Sequence, residues 1–319
     1  MREWWSRRVG SGGGVHVDRW DRAGRVAAHG AALALTPYLL IKVSWVAGSL
    51  VGLLPVGAGF GVAEWVVLNG ATIGMAGIGI TVALALGRPW GMRIPAAPLV
   101  FCAWVGAGFL VPVLPYAVLG SLLGDPESGG DAGPSMPGWE AALVQIGFVG
   151  TGLGLAVALP TYMRRRWPHA FAGRLGDGGE GSGRVPPWTA VTGAAVGLIW
   201  LYWAVGGTAG VAHRGERDLG WHVLSGVFGL WAVVASAATW AAVRGRPARV
   251  PRWGPMVLGW LGSGSLFAWS GWKLPFTLYV ALARPADTAL PEALALAAVL
   301  HLAAVVAGAA MLRALLVRV

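Results

Sequence analysis

Eight long apolar segments dominate the chain and restrict its fold more than any other feature. They cover residues 31–54, 64–86, 97–119, 140–163, 188–211, 221–243, 253–282 and 290–316. Each can cross a hydrocarbon core about 30 Å thick at about 1.5 Å per residue. Because backbone groups in hydrocarbon must be satisfied internally and the runs do not alternate, helices are expected and a membrane barrel is not. The sequence therefore predicts an all-α, polytopic membrane protein with eight transmembrane helices.

Charge supports this class and predicts the orientation of the helices. Only 12% of the residues are charged, against about 25% in soluble domains. The net charge of +10 comes mainly from arginines in the N-terminal tail, in the loops after the second, fourth and sixth segments, and at the C-terminus. The positive-inside rule makes these segments cytoplasmic. We therefore expect a multi-pass protein of the cell membrane with both termini cytoplasmic, membrane lipids as its surroundings, and no nucleic-acid partner.

The two halves of the membrane region match each other at an offset of roughly 152 to 160 residues. The matched pairs include Trp45 with Trp203, Trp65 with Trp221, Trp104 with Trp260, Gly108 with Gly264, and Leu114 with Leu274. Four helices per half give both halves the same orientation, so the repeats should be parallel. The predicted organisation is a basic tail (1–26), a first four-helix repeat (27–167), a Gly-rich cytoplasmic linker (168–186) and a second four-helix repeat (187–319).

Small residues predict where helices approach closely. Gly106 and Gly108, with their counterparts Gly262 and Gly264, narrow one side of the third helix of each repeat. A second expectation is a small-xxx-small face on the first helix of each repeat. Its glycines are Gly48 and Gly52, and Gly206 and Gly210.

Ionisable residues inside the apolar segments are costly and therefore mark candidate sites. Lys42, Lys273 and His301 lie roughly 13–20 Å from the outer ends of their segments. We expect them to share one outward-facing cavity, with Glu64 and His222 at its mouth. Snorkelling of the lysines and ordinary packing of the histidine are the alternatives.

Tryptophans near the lysines could form apolar walls around a ligand, although packing is their commoner role. The tryptophans concerned are Trp45, Trp269 and Trp272. The polar groups are not duplicated: Lys273 lies in an insertion of about one helical turn, near Gly271 and Pro275, where we expect the seventh helix to kink or break. No Asp or Glu is expected at the depth of the lysines. A lysine there is then either neutral or paired with an anionic ligand.

Several chemistries have no motif in the chain. We find no metal-ligand spacing, no nucleophile elbow, no paired Asp-rich motif and no cofactor fingerprint, and Ser270 has no base nearby in sequence. We therefore assign no catalytic residue, metal or cofactor. The first hypothesis is binding or transport of an amphipathic anionic molecule or lipid. The alternatives are an intramembrane enzyme on a lipid or isoprenoid, with His301 or Glu64 as acid/base, and a non-catalytic partner subunit. The oligomeric state is not predicted.

The first apolar segment resembles part of a known group of proteins. It reads PYLLIKVSWVAGSLVG from Pro37 to Gly52. The order Pro-Tyr, Lys-x-x-Trp and Gly resembles a stretch in uncharacterised multi-pass membrane proteins of high-GC actinobacteria. The resemblance implies a membrane location and that kind of host, brings no activity with it, and favours Lys42 and Trp45 as family features.

Overall fold

The computed structural model describes residues 19–57, 61–123, 138–168, 172–177, 186–283 and 290–317, with the side chains of 120–123 left out. This part of the chain is all-helical, with two isolated β-bridges and no strand. Its eight α-helices are α1 (Arg19–Leu50), α2 (Val62–Gly87), α3 (Ala96–Leu123), α4 (Gly138–Arg166), α5 (Trp188–Ala204), α6 (Leu219–Arg244), α7 (Trp253–Ala283) and α8 (Leu294–Leu316).

Within these described ranges, six helices are long and apolar enough to cross a membrane, judged by length and composition. They are α1, α2, α3, α4, α6 and α8. Helix α5 is apolar but has only 17 residues. Helix α7 has 31 residues, but its tryptophans, glycines and serines lower its hydropathy. The structure thus agrees with a polytopic membrane protein.

Two predicted helix boundaries are wrong for a reason that glycine explains. Helix α1 ends at Leu50 instead of residue 54, and α5 ends at Ala204 instead of residue 211. Helix α1 also begins earlier than predicted, at Arg19, inside the predicted basic tail. Gly52, Gly206 and Gly210 have φ angles of 72°, 96° and 80°, which a right-handed helix cannot contain. They form turns after α1 and α5. The predicted small-xxx-small faces on these two helices are therefore wrong.

A kink or a break was expected in helix α7, and the helix is continuous, so the break does not occur. Pro275 lies inside the helix and has no N–H to donate to the carbonyl of Gly271. One turn further on, the Thr277 hydroxyl donates to the carbonyl of Lys273 at 3.0 Å. Pro275 therefore removes one helical hydrogen bond without ending the helix.

Helix α6 has a capped N-terminus and a glycine at its C-terminus, and these set the positions of the residues along the helix. The carboxylate of Asp218 accepts a hydrogen bond from the backbone N–H of Trp221 at 2.6 Å and so caps the first turn. Gly245 ends the helix in the left-handed conformation, with φ of 65°.

Helices α3 and α7 join the two halves of the structure. Helix α1 packs on α2 and α4, whereas α6, α7 and α8 pack together, and α3 lies mainly against α7. The Trp104 indole donates to the carbonyl of Trp260 at 3.0 Å, and the Trp269 indole donates to the carbonyl of Phe109 at 3.0 Å. Because the paired residue numbers rise together, α3 and α7 run parallel where they cross.

The crossing confirms one predicted glycine contact. A Cβ added at Gly108 would clash with the backbone of Gly264, and a Cβ added at Gly264 would lie 2.7 Å from the carbonyl oxygen of Trp104. Gly106 instead faces open space. The two helices thus touch through their backbones at Gly108 and Gly264, which the absence of side chains permits.

Candidate functional site

A partly open cavity of about 40 Å³ lies among α5, α6, α7 and α8. Aromatic rings form much of its wall, and titratable and hydroxyl groups project into it. Its lining includes Trp200, Trp203, Trp221, Ser225, Phe228, Trp269, Ser270, Lys273, Glu292 and His301. A cavity of this size has room for a few waters or one small polar group.

Lys273 reaches this cavity from α7. Its ammonium lies 5.6 Å from the centre of the Phe228 ring, within the range of a cation–π contact. Within the described ranges the ammonium makes no hydrogen bond and no ion pair. An ammonium has three donors, so a molecule entering the cavity meets unused donors there.

Ser270 and His301 meet in the same cavity. The His301 Nδ1 and the Ser270 hydroxyl are 3.4 Å apart, and the Trp200 ring centre is 6.3 Å from that of His301. Ser270 lies three residues before Lys273, so both project from one face of α7. The sequence offered no base near Ser270, and the structure supplies His301 from the neighbouring helix.

Glu292 is a residue of the cavity wall that the sequence reasoning did not single out. Backbone hydrogen bonds join the loop after α5 to the loop before α8. The N–H of Ala212 donates to the carbonyl of Pro291 at 2.8 Å, and the N–H of Ala293 donates to the carbonyl of Gly210 at 2.9 Å. They bring Glu292 into the lining of the cavity that contains Lys273. The expectation that no carboxylate accompanies the lysines is therefore wrong for Lys273. Its signal in the sequence was only its position just before α8.

The wall that Trp269 forms also contacts the other half of the molecule. Its indole N–H bonds to Phe109 of α3, and its ring lies 5.3 Å from that of Phe109 and 5.4 Å from that of Phe228. Trp269 thus connects the α3–α7 crossing to the cavity.

Lys42 and Trp45 lie elsewhere and do not line this cavity. The ammonium of Lys42 donates to the side-chain oxygen of Asn69 at 3.1 Å and lies 4.1 Å from the Trp45 ring. The Trp45 ring stacks on that of Trp65 at 5.7 Å. The structure therefore does not join Lys42 and Lys273 in one cavity, and the shared cavity expected from their depth is wrong.

The remaining predicted residues have local partners outside the lining. Glu64 accepts a hydrogen bond from the backbone N–H of Gly61 at 3.0 Å and caps α2. A ring nitrogen of His222 lies 3.2 Å from the carbonyl of Ala204. Trp272 is 45% exposed and lies on the outer side of α7. Of the predicted site residues, the cavity contains Trp269, Lys273 and His301.

No group of three or more His, Cys, Asp or Glu side chains in the described ranges could hold a metal ion. Comparison with protein-family models, curated proteins and solved structures gives no match. The resemblance to actinobacterial membrane proteins stays a prediction, and the function must be argued from the geometry of the cavity.

Proposed function

We propose that this chain is an integral membrane protein that binds, and in doing so transports, an amphipathic molecule whose anionic group enters the α5–α8 cavity. The observation that carries the proposal is the ammonium of Lys273, which faces a cavity with aromatic walls and makes no hydrogen bond or ion pair within the described ranges. An anionic group of a ligand can accept the hydrogen bonds that Lys273 leaves unused, and the rings of Phe228 and Trp269 exclude water around it. The small volume admits the polar group alone, so an apolar chain stays outside.

The proposed architecture is eight transmembrane helices in two parallel repeats. Matched residues support it by their contacts: Trp45 lies against Trp65 at 5.7 Å, and their counterparts Trp203 and Trp221 lie together at 6.2 Å. Gly108 and its counterpart Gly264 meet at the α3–α7 crossing. A pair of equivalent residues meets in this way on a two-fold axis between parallel repeats.

We place the protein in the cell membrane with both termini cytoplasmic. Contacts at one end of the bundle support this topology, since arginines from separate basic segments gather there. Arg165 donates to the carbonyl of Leu86 at 2.7 Å, and Arg166 donates to that of Ile94 at 3.0 Å. The end of α4 therefore lies beside the loop that carries Arg88 and Arg93, as expected for one basic, cytoplasmic face.

Native mass spectrometry of the detergent-purified protein tests the binding proposal. We expect a defined adduct on the wild type that Lys273→Ala loses and Lys273→Arg retains in part. Lys42→Ala is the matched control, because it removes a membrane-embedded lysine that lies outside the cavity. The proposal is contradicted if the wild type carries no adduct or if Lys273→Ala keeps it. Loss of the adduct in both alanine variants would instead support the single site that the sequence predicted for Lys42 and Lys273.

One observation favours an intramembrane enzyme as the second candidate. Ser270 lies between His301, at 3.4 Å, and Lys273 on its own helical face. A serine beside a base can act as a nucleophile in acyl transfer. Denaturing mass spectrometry of the same samples separates the candidates. A covalent mass increment that Ser270→Ala abolishes favours the enzyme, and an adduct released intact favours binding.

A further inference from the structure

The cavity contains a basic and an acidic side chain on separate elements. Lys273 comes from α7, and Glu292 comes from the loop before α8. The two charged groups form no ion pair within 4.0 Å, although both face the same small space. A ligand that carries only negative charge would satisfy Lys273 and would be repelled by Glu292.

Hydrogen bonds of the backbone and of the side chain position Glu292. The backbone bridge between Val211 and Glu292 and the bond from Ala293 N–H to Gly210 fix its main chain. Its Oε1 accepts a hydrogen bond from the Trp221 indole at 2.9 Å. A carboxylate offers about four acceptor positions, and the indole occupies one of them. The remaining positions can receive the N–H donors of a ligand.

One indole ring lies directly beside the carboxylate of Glu292, and a second ring lies next to that indole. The rings of Trp203 and Trp221 are 6.2 Å apart, and both residues line the cavity with Glu292. An ammonium is attracted both to a carboxylate and to the faces of indole rings. This end of the cavity therefore has the features of a cation subsite, and the end at Lys273 has those of an anion subsite.

We infer that the polar group bound in this cavity is zwitterionic, with its ammonium at Glu292 and its anionic group at Lys273. The inference rests on the proposed function and narrows its ligand class. Two sources share this chemistry: a lipid headgroup of the phosphoethanolamine type and a free small zwitterion.

Binding of matched probes to the purified full-length protein tests the inference. Phosphoethanolamine and ethyl phosphate differ by the ammonium, and phosphatidylethanolamine and phosphatidylethanol with identical acyl chains make the corresponding lipid pair. We expect the wild type to bind the zwitterion of a pair about tenfold more tightly, the effect of one charge-assisted hydrogen bond. Preference within the soluble pair indicates a free zwitterion, and preference within the lipid pair alone indicates a headgroup.

Glu292→Gln removes the charge but keeps an acceptor for the Trp221 indole, so the fold should survive. We expect it to lose the preference for the zwitterion, while Glu292→Asp keeps much of it. Glu216→Gln is the matched control, because Glu216 is an exposed carboxylate in the loop before α6 and does not line the cavity.

The outcomes separate the two proposals. If the wild type binds both probes of a pair equally, and this binding is lost in Lys273→Ala but unchanged in Glu292→Gln, the zwitterion inference is overturned. The proposed anion site at Lys273 then still stands. Binding of no probe, with no adduct on the wild type, overturns both. A preference that survives in Glu292→Gln assigns the ammonium to another group and also overturns the inference.

Discussion

The backbone contact between α3 and α7 makes a sharp prediction for Gly108→Ala. A Cβ at this position would clash with the backbone of Gly264, and neither partner can rotate away as a side chain can. The contact in the opposite direction shows the size of the overlap. A Cβ at Gly264 would lie 2.7 Å from the carbonyl oxygen of Trp104, about 0.7 Å closer than an ordinary contact of 3.4 Å. The helices must separate by at least this distance, because the Cβ at Gly108 comes closer to its neighbour than the Cβ at Gly264 does.

That separation has two energetic consequences. Overpacking of this kind costs about 1–3 kcal/mol. It also lengthens the hydrogen bond from the Trp104 indole to the Trp260 carbonyl, now 3.0 Å, whose loss costs about 1 kcal/mol. Compared with an alanine at an open position of the same helix, we expect Gly108→Ala to lower the free energy of unfolding by about 2–4 kcal/mol, and the unfolding midpoint by roughly 4–10 °C.

Intrinsic tryptophan fluorescence during heating in detergent measures the effect. Gly106→Ala is the matched control, since it lies two residues away in the same helix and its Cβ would meet open space. Both substitutions gain the same helix propensity, about 1 kcal/mol, so their difference isolates the clash. Equal unfolding midpoints for the two variants would refute the backbone contact.

Two further predictions concern the loop before α6 and the topology. Gly206→Ala should lower the free energy of unfolding by about 1–2 kcal/mol, because a φ of 96° is strained for alanine. Gly215→Ala in the same loop is the control and should have little effect. Equal thermal unfolding midpoints for the two variants would contradict the prediction. In a Cys102→Ser background, Glu216→Cys in intact cells should react with a membrane-impermeant maleimide and Arg249→Cys should react only after lysis. The reverse pattern would invert the proposed topology.

The sequence predicted the helices well and their ends less well. Long apolar runs fix the existence of a membrane helix, because hydrocarbon leaves the backbone few alternatives. The ends depend on single φ angles, and Gly206 and Gly210 can equally lie in a helix or in a left-handed turn. The break expected as one outcome at Pro275 does not occur for a related reason, since one missing hydrogen bond does not decide whether a helix continues.

The candidate site was predictable in part. Lys273 and His301 stood out because charged and titratable groups are rare in apolar helices. Glu292 did not, because its place in the cavity depends on backbone bonds between two loops about eighty residues apart in sequence. Depth along a helix also could not tell which side of the bundle a residue faces, which is why Lys42 was grouped with Lys273.

The proposed duplication explains why the two lysines lie apart. Lys42 and Asn69 match Trp200 and Ser225, so the residues around Lys42 correspond to residues that line the cavity in the second half. In the first half, the bond from Lys42 to Asn69 joins α1 to α2 at 3.1 Å. In the second half, tryptophan and serine at these positions cannot form that bond, and Lys273 instead enters from α7. Under the proposed duplication, equivalent positions thus form a lysine–amide contact in one half and line a cavity in the other, and Trp269 links that cavity to the α3–α7 crossing.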